Sequence, residues 1–88
     1  MSLAASAVTI TTSPTLIATG LTGASWVYVH APTGGNTIFI GPSTVTVATG
    51  LELPKGELHE FWLAEADTLY GIVATSTQSL MVLKSGGR

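Results

Sequence analysis

The sequence predicts an all-β protein: a small single-domain antiparallel β-sandwich or barrel of about seven or eight short strands. Three observations carry this expectation. Short runs rich in Val, Ile, Thr and aromatic residues recur along the 88 residues, apolar and hydroxyl-bearing side chains alternate inside them, and Gly, Pro and Asn clusters separate them at the spacing of sheet reversals. No stretch carries the apolar period of an amphipathic helix, and no internal repeat or second domain is visible.

Residues 1–6 are small and polar and are expected to form a flexible arm, with the single β-domain spanning 7–84 and a flexible tail at 85–88 (SGGR). Residues 7–12 (AVTITT) alternate as a strand with Val8 and Ile10 on one face. Pro14 cannot donate to a ladder, so it marks an edge, a bend or a crossing between two sheets. The extended pattern resumes at 15–18 and stops at the 20–23 loop (GLTG). Residues 25–30 (SWVYVH) give the clearest strand signal, and the turn-rich 31–36 (APTGGN) leads to 37–40 (TIFI), which could pair back as a hairpin. A Gly41-Pro42 break, an alternating run at 43–47 (STVTV), a Thr49-Gly50 turn and a turn at 53–56 (LPKG) follow, each break at a place where Pro presets φ or Gly accepts unusual angles. Residues 58–63 (LHEFWL) form a further strand and 64–67 a polar connection. The run at 69–74 (LYGIVA) is apolar on both faces, as in a central strand, although periodicity alone equally allows a short buried helix. A hairpin loop at 75–78 leads into a last strand at 79–83 (SLMVL).

Composition narrows the function. A domain of this length buries only about 60–65% of its unfolded surface. With no cysteine and only two histidines, His30 and His59, neither disulfides nor a zinc site is expected to support it, and no cofactor is expected. Homo-oligomerisation, with a trimer favoured, or attachment to something larger is the remaining support. Charged residues make up 9% of the chain and hydrophobic ones 45%, against about 25% charged in an average soluble protein, so the surface is poorly guarded against association. A net charge of −2, with Lys55, Lys84 and Arg88 scattered, does not fit a nucleic-acid partner. No apolar run reaches the ~20 residues of a membrane-spanning helix, and 1–12 lack the positive start of a signal peptide.

Candidate chemistry is sparse. His59 and Glu60, with Asp67 nearby, suggest an acid/base set, but adjacent strand residues point to opposite faces, which favours solvated or structural roles. The loop at 33–36 (TGGN) lacks the Lys-Ser/Thr ending and following helix of a phosphate-cradling loop, and Gly-x-Ser-x-Gly is absent. Three classes remain: an assembly component, a carbohydrate-binding β-module using exposed aromatics, and, weakest, an enzyme.

Several short motifs carry a family resemblance. Ile38-Phe39-Ile40-Gly41, Val45-Thr46, Thr49-Gly50, Leu53, Pro54, Gly56-Glu57, Leu69-Tyr70-Gly71-Ile72 and Val82-Leu83 resemble a small β-domain of tailed-phage virion structural proteins. The resemblance runs from about Val8 to Lys84. Gly71 stands where alanine is usual, and Pro42 replaces a small residue. It implies a non-enzymatic capsid decoration protein that binds the major capsid protein on the outside of a phage head and stabilises it; a minor tail or head-tail component is the alternative.

Alternation assigns the faces. If 25–30 is a regular strand, Val27 and Val29 share one face and Trp26, Tyr28 and His30 the other. Packing the valines against Ile38, Ile40, Phe61 and Leu63 makes an aliphatic core. Phe39 and Trp62 then point away from it, with Glu60 beside Trp62. Trp26, Tyr28, His30, Phe39 and Trp62 are thus the expected interface residues. The opposite register, with Trp26 and Tyr28 inside, is the alternative.

Overall fold

A computed structural model describes residues 2–20, 25–32 and 36–86. Among them the chain forms eight strands: β1 (Ser2–Ile10), β2 (Thr15–Thr19), β3 (Ser25–His30), β4 (Ile38–Gly41), β5 (Leu51–Leu53), β6 (Leu58–Leu63), β7 (Thr68–Ile72) and β8 (Gln78–Gly86). They make two antiparallel sheets, β1-β8-β3-β6 (sheet A) and β2-β7-β4-β5 (sheet B). Consecutive strands alternate between sheets almost throughout, which is the order of an eight-stranded jelly roll.

The expected inward face is the observed one. Val27 and Val29 are fully buried and pack with Ile10, Leu80 and Val82 of sheet A against Ile17, Ile38, Ile40, Leu53 and Leu69 of sheet B, with Leu63 buried and Phe61 partly buried at the margin. Trp26, by contrast, is 42% exposed, so the opposite register does not occur.

The connections follow from local hydrogen bonding. At the Pro14 corner the chain crosses from sheet A to sheet B. There the Thr11 N–H donates to Thr15 Oγ1 at 3.3 Å, the Ser13 N–H donates to Thr11 Oγ1 at 3.2 Å, and Thr15 Oγ1 donates to the Ser13 carbonyl at 2.9 Å. The turn after β5 closes through Glu57 N–H to the Pro54 carbonyl at 3.1 Å, with Gly56 at φ 83° in the left-handed position such a turn needs. The far end of the sandwich is tied by Lys84, whose Nζ reaches across to the Thr19 carbonyl at 3.2 Å.

The β6–β7 turn is less comfortable. Asp67 N–H donates to the Ala64 carbonyl at 3.0 Å, which puts Ala66, at φ 68°, where glycine is usual. A left-handed alanine costs about 1 kcal/mol, so Ala66→Gly is expected to stabilise the chain by roughly 0.5–1 kcal/mol, part of the relief being offset by glycine's greater freedom when unfolded. Urea denaturation of the two proteins measures this; an unchanged or lowered midpoint counts against it.

Three expectations are corrected. Residues 2–6 are not an arm: they extend β1 and pair with Val82–Gly86 of β8, and 85–86 likewise belong to β8 rather than to a tail. Ladder hydrogen bonds do not depend on apolar side chains, so the small residues at 2–6 gave little sign of a strand. Residues 43–47 are not a strand either. Val45 N–H donates to the Pro42 carbonyl at 2.9 Å, and Thr49 and Gly50 N–H groups donate to the Thr46 carbonyl at 3.2 and 2.9 Å. The Thr46 and Thr49 hydroxyls also lie 2.9 Å apart, so local bonds displace the ladder. The β3–β4 hairpin does not form, because β3 pairs with β6 and β8 while β4 lies in the other sheet. Met1, the glycine-rich 33–35, most of the 20–23 loop and 87–88 lie outside the described residues.

Candidate functional site

The feature that stands out is the outer face of sheet A. Strand pairing sets Trp26 opposite Trp62, Tyr28 opposite Glu60 and His30 opposite Leu58 on β6. On the other side of β3, Tyr28 lies opposite Leu83 and His30 opposite Met81. The result is a contiguous apolar surface: Trp62 is 57% exposed and Leu58 62%, and Trp26, Met81 and Leu83 are exposed beside them. Glu60 is the one carboxylate on this face among the described residues. Scattered exposed apolar residues are ordinary, but a continuous patch marks an interaction surface.

Two details shape the patch. Trp26 and Trp62 meet edge to face, with ring centroids 4.8 Å apart and planes at 64°, an arrangement that fixes both rings while leaving one side of each to solvent. Beside them Ala5, Tyr28, His30, Leu58, Met81 and Leu83 line an almost wholly apolar groove of about 330 Å³. Small residues on β1 make the depression, since Ala5 stands opposite Leu83 and Ala7 opposite Met81.

Tyr28 is the titratable group the face perturbs. Hydrogen bonding to Glu60, and then the carboxylate's negative charge, push its phenol above the ordinary value of 10.0. A raised phenol contributes stability that is present below the ordinary value and is lost as pH rises through the raised one. In a Tyr70→Phe background, absorbance titration is expected to show Tyr28 ionising above the free phenol, and Glu60→Gln to bring it down. A titration unaffected by Glu60→Gln would remove the coupling.

Four of the five expected interface residues, Trp26, Tyr28, His30 and Trp62, are therefore brought onto one face. Phe39 is not. It belongs to sheet B and is half-buried by the chain itself. The 42–50 loop folds back there: Val45 is 2% exposed, and a Cβ on Gly50 would lie 2.6 Å from the Phe39 Cβ and 2.9 Å from Val45 Cγ2. That close approach half-buries Phe39 on sheet B, away from the face that carries the tryptophans. Leu58, Met81 and Leu83 were missed, although alternation places Leu58 with Trp62 and Met81 with Leu83; what the sequence did not reveal is that β8 lies beside β3.

The acid/base candidates are dispersed. The His59 ring stacks on Phe61, centroids 6.3 Å apart, toward the inner face, whereas Glu60 lies outside with Tyr28. The Asp67 carboxylate accepts the Ala64 N–H at 3.1 Å and so caps its turn. Of the glycine-rich loop, Asn36 is tied to the β7–β8 connection, its N–H donating to Gln78 Oε1 at 2.8 Å and its Nδ2 to the Thr75 carbonyl at 2.9 Å. Among the described residues no three His, Asp or Glu side chains gather as a metal site.

No protein-family model matches the chain, and no curated protein matches it in sequence. Among solved structures, it is similar to a chain from Bacillus endospore appendages, a family of disulfide-linked pili. The TM-score is 0.62 over 99% of this chain and 87% of that one, at 14% identity. At that identity the likeness establishes a common all-β fold.

Proposed function

We propose that this chain is a non-enzymatic structural subunit of an external assembly, which associates with copies of itself and uses the outer face of sheet A as its contact surface. The observation that carries the reading is that face: two exposed tryptophans fixed against each other, flanked by Leu58, Met81 and Leu83, on a chain with 9% charged residues. Aromatic anchors on a rigid sheet lose little entropy on docking. The fold shared with a pilus protein supports a building-block role. Because the chain has no cysteine, any such assembly is held without disulfides.

The phage resemblance favours one form of this role, a trimeric decoration protein seated on the major capsid protein at the outside of a tailed-phage head. There it stabilises the assembled shell by binding only that state. The likeness to the pilus chain favours a second form, a repeating fibre subunit. Sedimentation equilibrium over a dilution series, with electron microscopy of the concentrated protein, separates them: a closed small oligomer supports decoration and growing filaments support the fibre. A folded monomer at all concentrations rejects self-association.

A further inference from the structure

Each sheet has two edges, and three of the four are guarded. Strand β2 follows Pro14 and is broken by a bulge between Leu16 and Ala18. Strand β5 has three residues, carries Glu52 and is followed by Pro54. Strand β6 carries His59 and Glu60. Charges, prolines, bulges and short length are the devices by which sheets prevent edge-to-edge pairing.

Strand β1 has none of them. Its nine residues, SLAASAVTI, include no charge, proline or glycine, and its register with β8 is unbroken from Ser2↔Gly86 to Ile10↔Gln78. Among the described residues it is the outermost strand of sheet A, so on its outer side every second residue has a backbone N–H and C=O without a strand partner among them. At about 3.4 Å per residue this is an edge of roughly 30 Å.

We infer that β1 pairs antiparallel with β1 of a second copy, joining two sheets A into one eight-stranded sheet. The occupant follows from complementarity. An edge of this kind accepts an extended strand, and self-pairing about a two-fold axis brings small or uncharged side chains together in every register, with no like charges opposed. Pairing there also places the two outer faces side by side, so that the apolar surface of one copy runs on into that of the other. The inference rests on the self-association proposed above and adds to its outer-face contact a second one, at the β1 edge of sheet A.

The cysteine-free chain permits a direct test. Single cysteines are introduced as Ala5→Cys, Ser6→Cys, Ala7→Cys, Val8→Cys and Thr9→Cys, with Ser43→Cys, exposed on the 42–50 loop beside sheet B, as a control, and each folded variant is mildly oxidised. A disulfide requires Cβ atoms about 3.5–4.5 Å apart, so β1 pairing is expected to give dimer at one or two β1 positions, with a sharp fall at their neighbours and none at Ser43→Cys. Sedimentation of the same unoxidised proteins reads self-association separately. An oligomer without cross-linking in β1, or with cross-linking equally strong at Ser43→Cys, overturns the edge pairing and leaves self-association standing. A monomer throughout, including a chain whose β1 waits for a different protein's strand, overturns both.

Discussion

Trp26→Ala and Trp62→Ala are each expected to weaken association through the outer face of sheet A about 30-fold while leaving β-sheet circular dichroism in place. The two rings lie on the outer face of sheet A, 42% and 57% exposed, while the core beneath is made by Val27, Val29, Leu80 and Val82. Truncating either ring therefore opens no internal cavity. It costs the fold mainly the edge-to-face contact, about 0.5–1.5 kcal/mol. Truncating an aromatic anchor at an interface costs about 2 kcal/mol or more, close to a 30-fold loss of affinity. Sedimentation equilibrium and circular dichroism on the same samples give the answer. An oligomer of unchanged affinity would remove the tryptophans from the contact surface, and an unfolded chain would show them to be core residues after all.

Gly20→Ala is expected to be the most damaging of the small substitutions. An added Cβ would fall directly on the Ala64 carbonyl oxygen, a backbone atom. Neither segment can retreat cheaply, because Gly20 N–H donates to the Asp67 carbonyl at 2.7 Å and the Gly20 carbonyl accepts from Ala66 N–H at 3.1 Å. The collision therefore breaks the bonds that fasten β2 to the β6–β7 turn, at a cost of about 3 kcal/mol, the upper end of ordinary overpacking losses and a large share of a small domain's stability. Gly71→Ala is the matched control. There the new methyl meets only side-chain atoms, Ile17 Cδ1 at 3.0 Å and Ile10 Cδ1 and Ile38 Cγ2 at 3.4 Å, which can shift, and the change is expected to stay within about 1 kcal/mol. Equal urea midpoints for the two variants would contradict this account.

The sequence was most informative where side chains alternate. The run at 25–30 disclosed both faces of β3, and the same reasoning placed Trp62, Ile38 and Ile40 on their observed sides. Turn chemistry was equally legible at Pro14 and at Pro54-Lys55-Gly56, because φ restrictions act locally. Illegible were features set by distant partners. Residues 2–6 are strand because Val82–Gly86 of β8 pair with them, and nothing within SLAAS announces that. Residues 43–47 alternate like a strand, yet the Thr46 and Thr49 hydroxyls and the Pro42 carbonyl satisfy the backbone without one. Phe39 shows the limit for the candidate site: parity turned it away from the buried Ile38 and Ile40, but parity cannot show that β4 joins the other sheet from the tryptophans.

The position of β8 has a consequence for how the chain comes to be folded. In sheet A it lies between β1 and β3, and it is the last strand made. Until it emerges, β1 has no partner in its own sheet and β3 has only β6. During synthesis, therefore, only a fragment of sheet A can form, and its completion waits on a strand some fifty residues downstream of β3. Such a topology closes long loops before it gains contacts, which slows folding. The apolar outer face, to which β8 contributes Met81 and Leu83, is complete only in the finished domain, so premature association through that surface is limited by the order in which the chain is made.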